Sequence, residues 1–258
     1  EALIRLNPSI AEKPERADEV IYRLRTIWLG SHSTGLVAAN QEFEKWLKNE
    51  KSMPFGPNNE HVTIQLVDFD NPSNNEFIVT KEWTFIQAGV EKRFDVVYLI
   101  NGIPVVIGEV KTPVRDAVSW LDGALQVHDD YEINVSQMFV PNVFSYASEG
   151  KAFRYGSVRM PIEMWGPWRE NEGHALSDVR RTLKSLMRPE VILDILQNFT
   201  LFATDKKHRA IKIICRYQQY DGANKIVERV VRGQDKKGLI WHFQGSGKSL
   251  LMVFVSNK

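Results

Sequence analysis

The 258 residues include a single cysteine, Cys215. One thiol excludes an internal disulfide framework and a cysteine-ligated zinc site, and it fits a reducing compartment. Cys215 follows Ile211-Lys212-Ile213-Ile214, a setting in which a thiol is expected to be buried and inert. No apolar run is long enough to span a bilayer, and the N-terminus lacks a signal-peptide pattern. An excess of one charge is missing too. The 33 Lys and Arg residues against 32 Asp and Glu leave +1 at pH 7, so any basic footprint must be local. There is no internal repeat and no low-complexity segment. The chain opens on Glu1 rather than Met, so it is expected to be a processed form or a piece of a longer protein. An apolar content of 43% and a charged content of 25% are ordinary for a globular protein. The length suffices for one large domain or two modest ones.

What the chain does carry is two apolar β-type runs with charges at one end. Phe94-Asp95-Val96-Val97-Tyr98-Leu99-Ile100 is followed by Asn101-Gly102, a strong hairpin-turn signal, and then by Ile103-Pro104-Val105-Val106-Ile107-Gly108-Glu109-Val110-Lys111. Side chains two apart in a strand share a face, so Glu109 and Lys111 point the same way and Val110 points opposite. Asp95, on the partner run, is within reach of the same spot. Most Glu-x-Lys pairs are salt bridges on solvated strand ends. Here the run before Glu109 is continuously apolar, as in a strand buried on both faces. Buried charges need partners or a metal. Two carboxylates and an ammonium are what a magnesium-dependent phosphodiester hydrolase requires.

The elements around this hairpin fall into stretches. Val20, Ile21, Leu24 and Trp28 recur at a helical period between Pro14 and Trp46, and residues 39–47 form a second amphipathic helix. Val62, Ile64 and Leu66 alternate as in a strand, and Phe77-Ile78-Val79 starts another after the Asn71-Pro72-Ser73 turn. A helix is expected near Asp116 to Tyr131, and strands from Gln137 to Val158. Pro161, Gly166, Pro167 and Gly173 break the pattern. Beyond Ala175 the spacing of Leu176, Val179, Leu183, Leu186 and Met187 predicts helix.

A second chemical signal lies near the C-terminus. Leu239-Ile240-Trp241-His242-Phe243 reads as a strand running into Gln244-Gly245-Ser246-Gly247-Lys248-Ser249, with a helix expected to follow. Glycines let backbone N–H groups close on phosphates, the helix N-terminus adds positive potential, and Lys248 supplies a cation. Ser249 can meet the nucleotide's Mg²⁺. His242 stands where the general phosphate-loop pattern has glycine. Upstream, Gln219 in Arg216-Tyr217-Gln218-Gln219-Tyr220 has an amide able to read an adenine edge.

Taken in order, these segments resemble the N-terminal part of the restriction subunit of type I restriction enzymes, the endonuclease and DNA-translocase component. The resemblance also takes in residues 40–55 and Leu196-Gln197-Asn198-Phe199-Thr200-Leu201-Phe202, and so covers nearly the whole chain. It implies an α/β fold: a PD-(D/E)xK restriction-endonuclease-like mixed β-sheet flanked by helices, followed by the truncated start of a RecA-like superfamily 2 motor. The implied division is a nuclease domain at 1–175, a helical linker at 176–205 and the motor start at 206–258. In such motors the absent first loop glycine is unremarkable.

The resemblance also implies roles. Asp95 and Glu109 would hold Mg²⁺, and Lys111 would orient the attacking water or stabilise transition-state charge. Related nucleases carry a Gln and, after three intervening residues, a Tyr on the next helix. Gln126 fits, but Tyr131 follows it across four, which leaves Tyr131 open. An upstream helical acid, Glu15 or Glu19, could join such a site. In the full-length protein ATP would sit on Gly245, Ser246, Gly247, Lys248 and Ser249, with Gln219 at the adenine. The implied partners are double-stranded DNA and the methyltransferase and specificity subunits, without a membrane, in a bacterial or archaeal cytoplasm. Arg180, Arg181, Lys184 and Arg188, or Lys206, Lys207 and Arg209, could meet DNA phosphates, although solvated faces are the commoner meaning of such runs. The competing functions are another helicase–nuclease repair protein, or an inactive DNA-binding scaffold for an ATPase motor.

Overall fold

The computed structural model describes residues 1–114, 117–169, 175–233, 237–241 and 243–258. Its first elements are helical: α1 (Ala2–Leu6), α2 (Pro8–Glu12), α3 (Arg16–Thr34) and α4 (Leu36–Leu47). Gly35, at φ 82°, breaks α3 from α4. The Val62, Ile64, Leu66 alternation does not make a full strand. Only β1 (Ser52–Met53) and β2 (Val62–Thr63) pair there. Ile64 and Leu66 are nonetheless buried, and Asn7 and Asn49 side chains take the backbone N–H groups of Gln65 and Leu66 that a longer ladder would have used.

The main sheet has the order β3-β4-β5-β6-β7. β3 (Phe77–Gln87), β4 (Val90–Ile100) and β5 (Ile103–Val110) form an antiparallel meander. Asn101 and Gly102, at φ 52° and 80°, make the tight β4–β5 turn with the left-handed backbone that such hairpins need. A helical crossover returns the chain to β6 (Phe144–Ser148), which lies parallel to β5, and β7 (Phe153–Gly156) closes the edge antiparallel. β5 is buried from Val105 through Glu109, as its unbroken apolar run predicts.

The crossover helix is shorter and less regular than expected. Arg115 and Asp116 lie outside the described residues. α5 (Trp120–Leu125) begins at a Ser119 cap, continues into a π-helical turn over Gln126–Tyr131, and ends as α6 (Glu132–Asn134). Gln137 opens no strand, because Ser136–Phe139 is a 3₁₀ turn.

After α7 (Leu176–Leu186) and α8 (Pro189–Asn198) the expected helical linker gives way to a β-hairpin, β8 (Thr200–Thr204) with β9 (Ala210–Ile214). The β-branched and aromatic residues of both strands favour this, and Asp205 caps the turn by accepting from Lys207 and Arg209 N–H groups. The hairpin is pinned to α4 by a buried ion pair, Lys212 Nζ to Glu44 Oε2 at 2.8 Å. Thr200 Oγ1 donates to Glu44 Oε1 at 2.6 Å, and Lys48 reaches the same oxygen at 2.8 Å. α9 (Tyr217–Arg232) and α10 (Lys248–Asn257) complete the chain. One continuous core runs from Ile10 to Phe254. Cys215 is inside it, as expected, and burial pushes its thiol well up.

The strand expected at 239–243 is not formed among the described residues, and His242 lies outside them. Leu239, Trp241 and Phe243 are exposed. An apolar run becomes a parallel strand only beside a neighbouring ladder, and no described strand lies against it.

Candidate active site

β4 and β5 bring Asp95 and Glu109 to adjoining positions, one step beyond the Val96–Gly108 pair. Asp95 Oδ2 accepts from Val110 N at 2.8 Å, which ties the carboxylate to the end of β5. Glu109 is 2% exposed. α5 lies tightly over it: a Cβ on Gly123 would meet Glu109 Cγ at 3.3 Å. Lys111 Nζ donates to Glu109 Oε1 at 2.7 Å, and Glu109 Oε2 is buried with no hydrogen-bond partner. Burial pushes the Glu109 carboxyl up to about 7; Lys111 pulls against this, and the Asp95 charge adds to it.

Lys111 also donates to Gln126 Oε1. The Gln126 amide nitrogen donates to the Tyr131 hydroxyl, which in turn donates to Arg93 O at 3.2 Å. Tyr131 is pushed up to about 12, chiefly by burial and then by Glu109, so it stays a protonated donor. Residues 126–131 form a π-helical turn, in which i and i+5 share a face. This turn absorbs the extra residue between Gln126 and Tyr131 and returns the tyrosine to the site. Asp95, Glu109, Lys111 and Gln126 thus line one open cleft of about 430 Å³.

Other residues of the cleft were not singled out from the sequence. Lys92 Nζ bonds Asp130 Oδ2 at 2.7 Å, and Glu91 and Arg93 lie on the same rim. The run of charged residues Glu91-Lys92-Arg93, just before Phe94-Asp95, is the signal the sequence offers for them. Neither Glu15 nor Glu19 lines the cleft. The basic residues of α7, and Arg188 just before α8, face solvent, with Arg181 on Asp178 and Arg188 on Glu190 at 3.4 Å each. Arg209 instead pairs with Asp205 at 2.8 Å.

Among the described residues no group of three or more His, Cys, Asp or Glu side chains could hold a metal. Mg²⁺ does not need one, because it commonly takes one or two carboxylates and completes six positions with water and substrate oxygens. An unpaired, buried Glu109 oxygen beside the Asp95 carboxylate fits that requirement.

The Gly-rich segment forms a loop that leads into α10, the helix expected after it. Gly245 and Gly247 have φ 83° and 78°. Gln219 spends its amide on the chain itself: its Oε1 accepts from Arg216 N at 2.8 Å, and its Nε2 donates to Gly247 O at 3.2 Å. In this conformation the side chain holds the loop rather than facing a base. Lys248 Nζ donates to Phe243 O at 2.9 Å. The Ser246 hydroxyl is buried without a partner, and Ser249 is exposed in the first turn of α10.

Residues 1–163 match the family model of the type I restriction enzyme R protein N terminus, and residues 218–258 match that of the SWI2/SNF2 ATPase. The chain is 31% identical to the type I restriction enzyme HindI endonuclease subunit of Haemophilus influenzae, over 100% of this chain and 25% of that protein. It is 27% identical to the putative type I restriction enzyme MjaIXP endonuclease subunit of Methanocaldococcus jannaschii, over 84% of this chain and 23% of that one. It thus spans about a quarter of the length of these relatives. With well over half its residues inside the first of those matches, the chain belongs to the type I restriction enzyme R protein N-terminal family.

Proposed function

We propose that the chain carries the Mg²⁺-dependent DNA-cleaving site of a type I restriction endonuclease subunit, on a PD-(D/E)xK-type mixed sheet, and that 206–258 begin an ATP-driven RecA-like motor. The observation that carries this reading is the meeting of Asp95, Glu109 and Lys111 at one end of β4–β5, with a buried Glu109 oxygen unpaired. Asp95 and Glu109 would hold the ion. When bound, it supplies Lewis-acid polarisation of the phosphodiester and a water of lowered pKa.

The side chains do the rest. Asp95, tied to Val110 N, fixes the position of its free oxygen. Lys111 sits beside Glu109 and places positive charge where the phosphorane develops its negative charge. Gln126 and Tyr131 hold the ammonium in place, so that its donors are spent on known partners and not on bulk water. In the full-length enzyme, cleavage would follow ATP-driven translocation on double-stranded DNA, in complex with methyltransferase and specificity subunits. Gly245, Ser246, Gly247, Lys248 and Ser249 would take the nucleotide phosphates and their Mg²⁺. For Gln219 to read adenine it would first have to release Gly247 O.

The test is Asp95→Ala or Glu109→Ala in the full-length subunit assembled with its partners. Cleavage should fall by more than about 100-fold, since even outer partners of metal ligands are worth 10- to 100-fold. ATP-driven translocation should continue. Undiminished cleavage by either variant would refute the assignment, and an inactive scaffold would then be the better reading.

A further inference from the structure

Gln126 bonds Lys111, and the π-helical turn over residues 126–131 brings Tyr131 back onto Gln126. Such turns are rare, and something must hold this one open against the ordinary α-helix. The partner is remote in sequence. Arg159, in the segment after β7, donates through its guanidinium to His128 O, inside the turn. Its backbone N–H donates to Glu132 Oε2 at 3.0 Å, and the guanidinium lies 3.5 Å from the same oxygen. Glu132, the first residue after the turn, has a side chain with no solvent exposure, and its Oε1 has no hydrogen-bond partner.

Arg159 adopts φ 56°, in the left-handed region. A non-glycine residue persists there when its surroundings over-determine it, and such residues cluster at functional sites. Arg159 also lines a second cleft, of about 910 Å³, together with Gly245, Ser246 and Gly247. An otherwise ordinary crossover helix is therefore gripped at its irregular turn, by a residue that a ligand in that cleft could touch.

We infer that Arg159 and Glu132 are positioning residues for the cleavage site, locking the π-turn that sets Tyr131 on Gln126, the partner of Lys111. The inference rests on the nuclease reading above. Arg159 touches none of the proposed reacting atoms; it acts through the turn.

The experiment uses the full-length subunit assembled with its partners and compares wild type, Arg159→Ala, Arg159→Lys, Glu132→Gln and Asp95→Ala. Arg159→Ala should cut the cleavage rate at least tenfold while the Mg²⁺ concentration for half-maximal cleavage stays put and translocation persists. Arg159→Lys, which keeps a donor for His128 O, should recover part of the rate. Glu132→Gln should fall between Arg159→Ala and wild type. Undiminished cleavage by Arg159→Ala, or loss of translocation in parallel with cleavage, would overturn the inference. A loss that Arg159→Lys does not relieve at all would overturn it too. Asp95→Ala separates the two levels: if it still cleaves, the nuclease reading itself fails, whereas if it is dead and Arg159→Ala is normal, only the positioning role fails.

Discussion

At Glu109, burial raises the carboxyl to about 7, against the pull of Lys111 and with the help of Asp95. Two consequences follow from the sign of that shift. A metal ligand must be deprotonated, so divalent-ion affinity should fall by roughly tenfold per pH unit below about 7 and level off above it. A Mn²⁺ titration repeated across that range checks this, and a flat profile would contradict it. On stability, a carboxyl whose folded pKa exceeds its unfolded value stabilises the fold below the unfolded value of 4.5, and this is lost as pH rises through about 7. Glu109→Gln removes that loss. Above pH 7 it should unfold later than wild type by roughly 1 kcal/mol while abolishing cleavage, the usual trade of stability against a charged site. For Lys111→Met the metal should still bind and cleavage should be lost. Loss of metal and fold together would make the lysine structural. These three residues were legible in the sequence because strand alternation puts Glu109 and Lys111 on one face and the Asn101-Gly102 hairpin brings Asp95 beside them. Glu132 and Arg159 were not, since 27 residues separate them and nothing local marks their meeting.

At the scale of elements, the β4–β5 hairpin was legible from Asn101-Gly102 and the apolar runs around it, whereas the crossover helix was not. Counting in steps of 3.6 leaves Tyr131 off the site, and a one-residue π insertion corrects the phase. Residues 200–205 were read as the end of a helical linker, yet Thr200–Thr204 form a strand of a hairpin held by Glu44. The deciding contact is 156 residues away along the chain, which no local pattern can reveal. Burial alone would raise the Glu44 carboxyl, but Lys212 and Lys48 bring it below its ordinary value. Removing one member of such a pair leaves a buried charge uncompensated. Glu44→Ala should therefore cost about 3–5 kcal/mol in chemical denaturation. A cost under about 1 kcal/mol, the range of surface pairs, would show that the clamp is not buried in solution.

At the scale of the whole molecule, the main sheet and α10, which follows the Gly-rich loop, share one core. Asp95 and Glu109 lie on inner strands of a five-stranded sheet, whereas Leu239, Trp241 and Phe243 before the loop are exposed and lie in no described strand. The loop is also turned inward, with Gln219 and Lys248 bonded to its own carbonyls. No helix among the described residues is long and apolar enough to cross a membrane. We expect the 258-residue chain alone to bind ATP weakly and to turn it over negligibly in calorimetric and phosphate-release assays. Robust turnover abolished by Lys248→Ala would mean that these residues suffice as an ATPase.

The central claim is that Asp95 and Glu109 share one divalent ion. Calorimetric titration of Mn²⁺ into this chain tests it most directly, at a pH above about 7 where Glu109 is ionised. Wild type should bind one ion per chain, and Asp95→Ala and Glu109→Ala should each lose that binding with their circular dichroism unchanged. Equal Mn²⁺ binding by wild type and both variants would contradict the account.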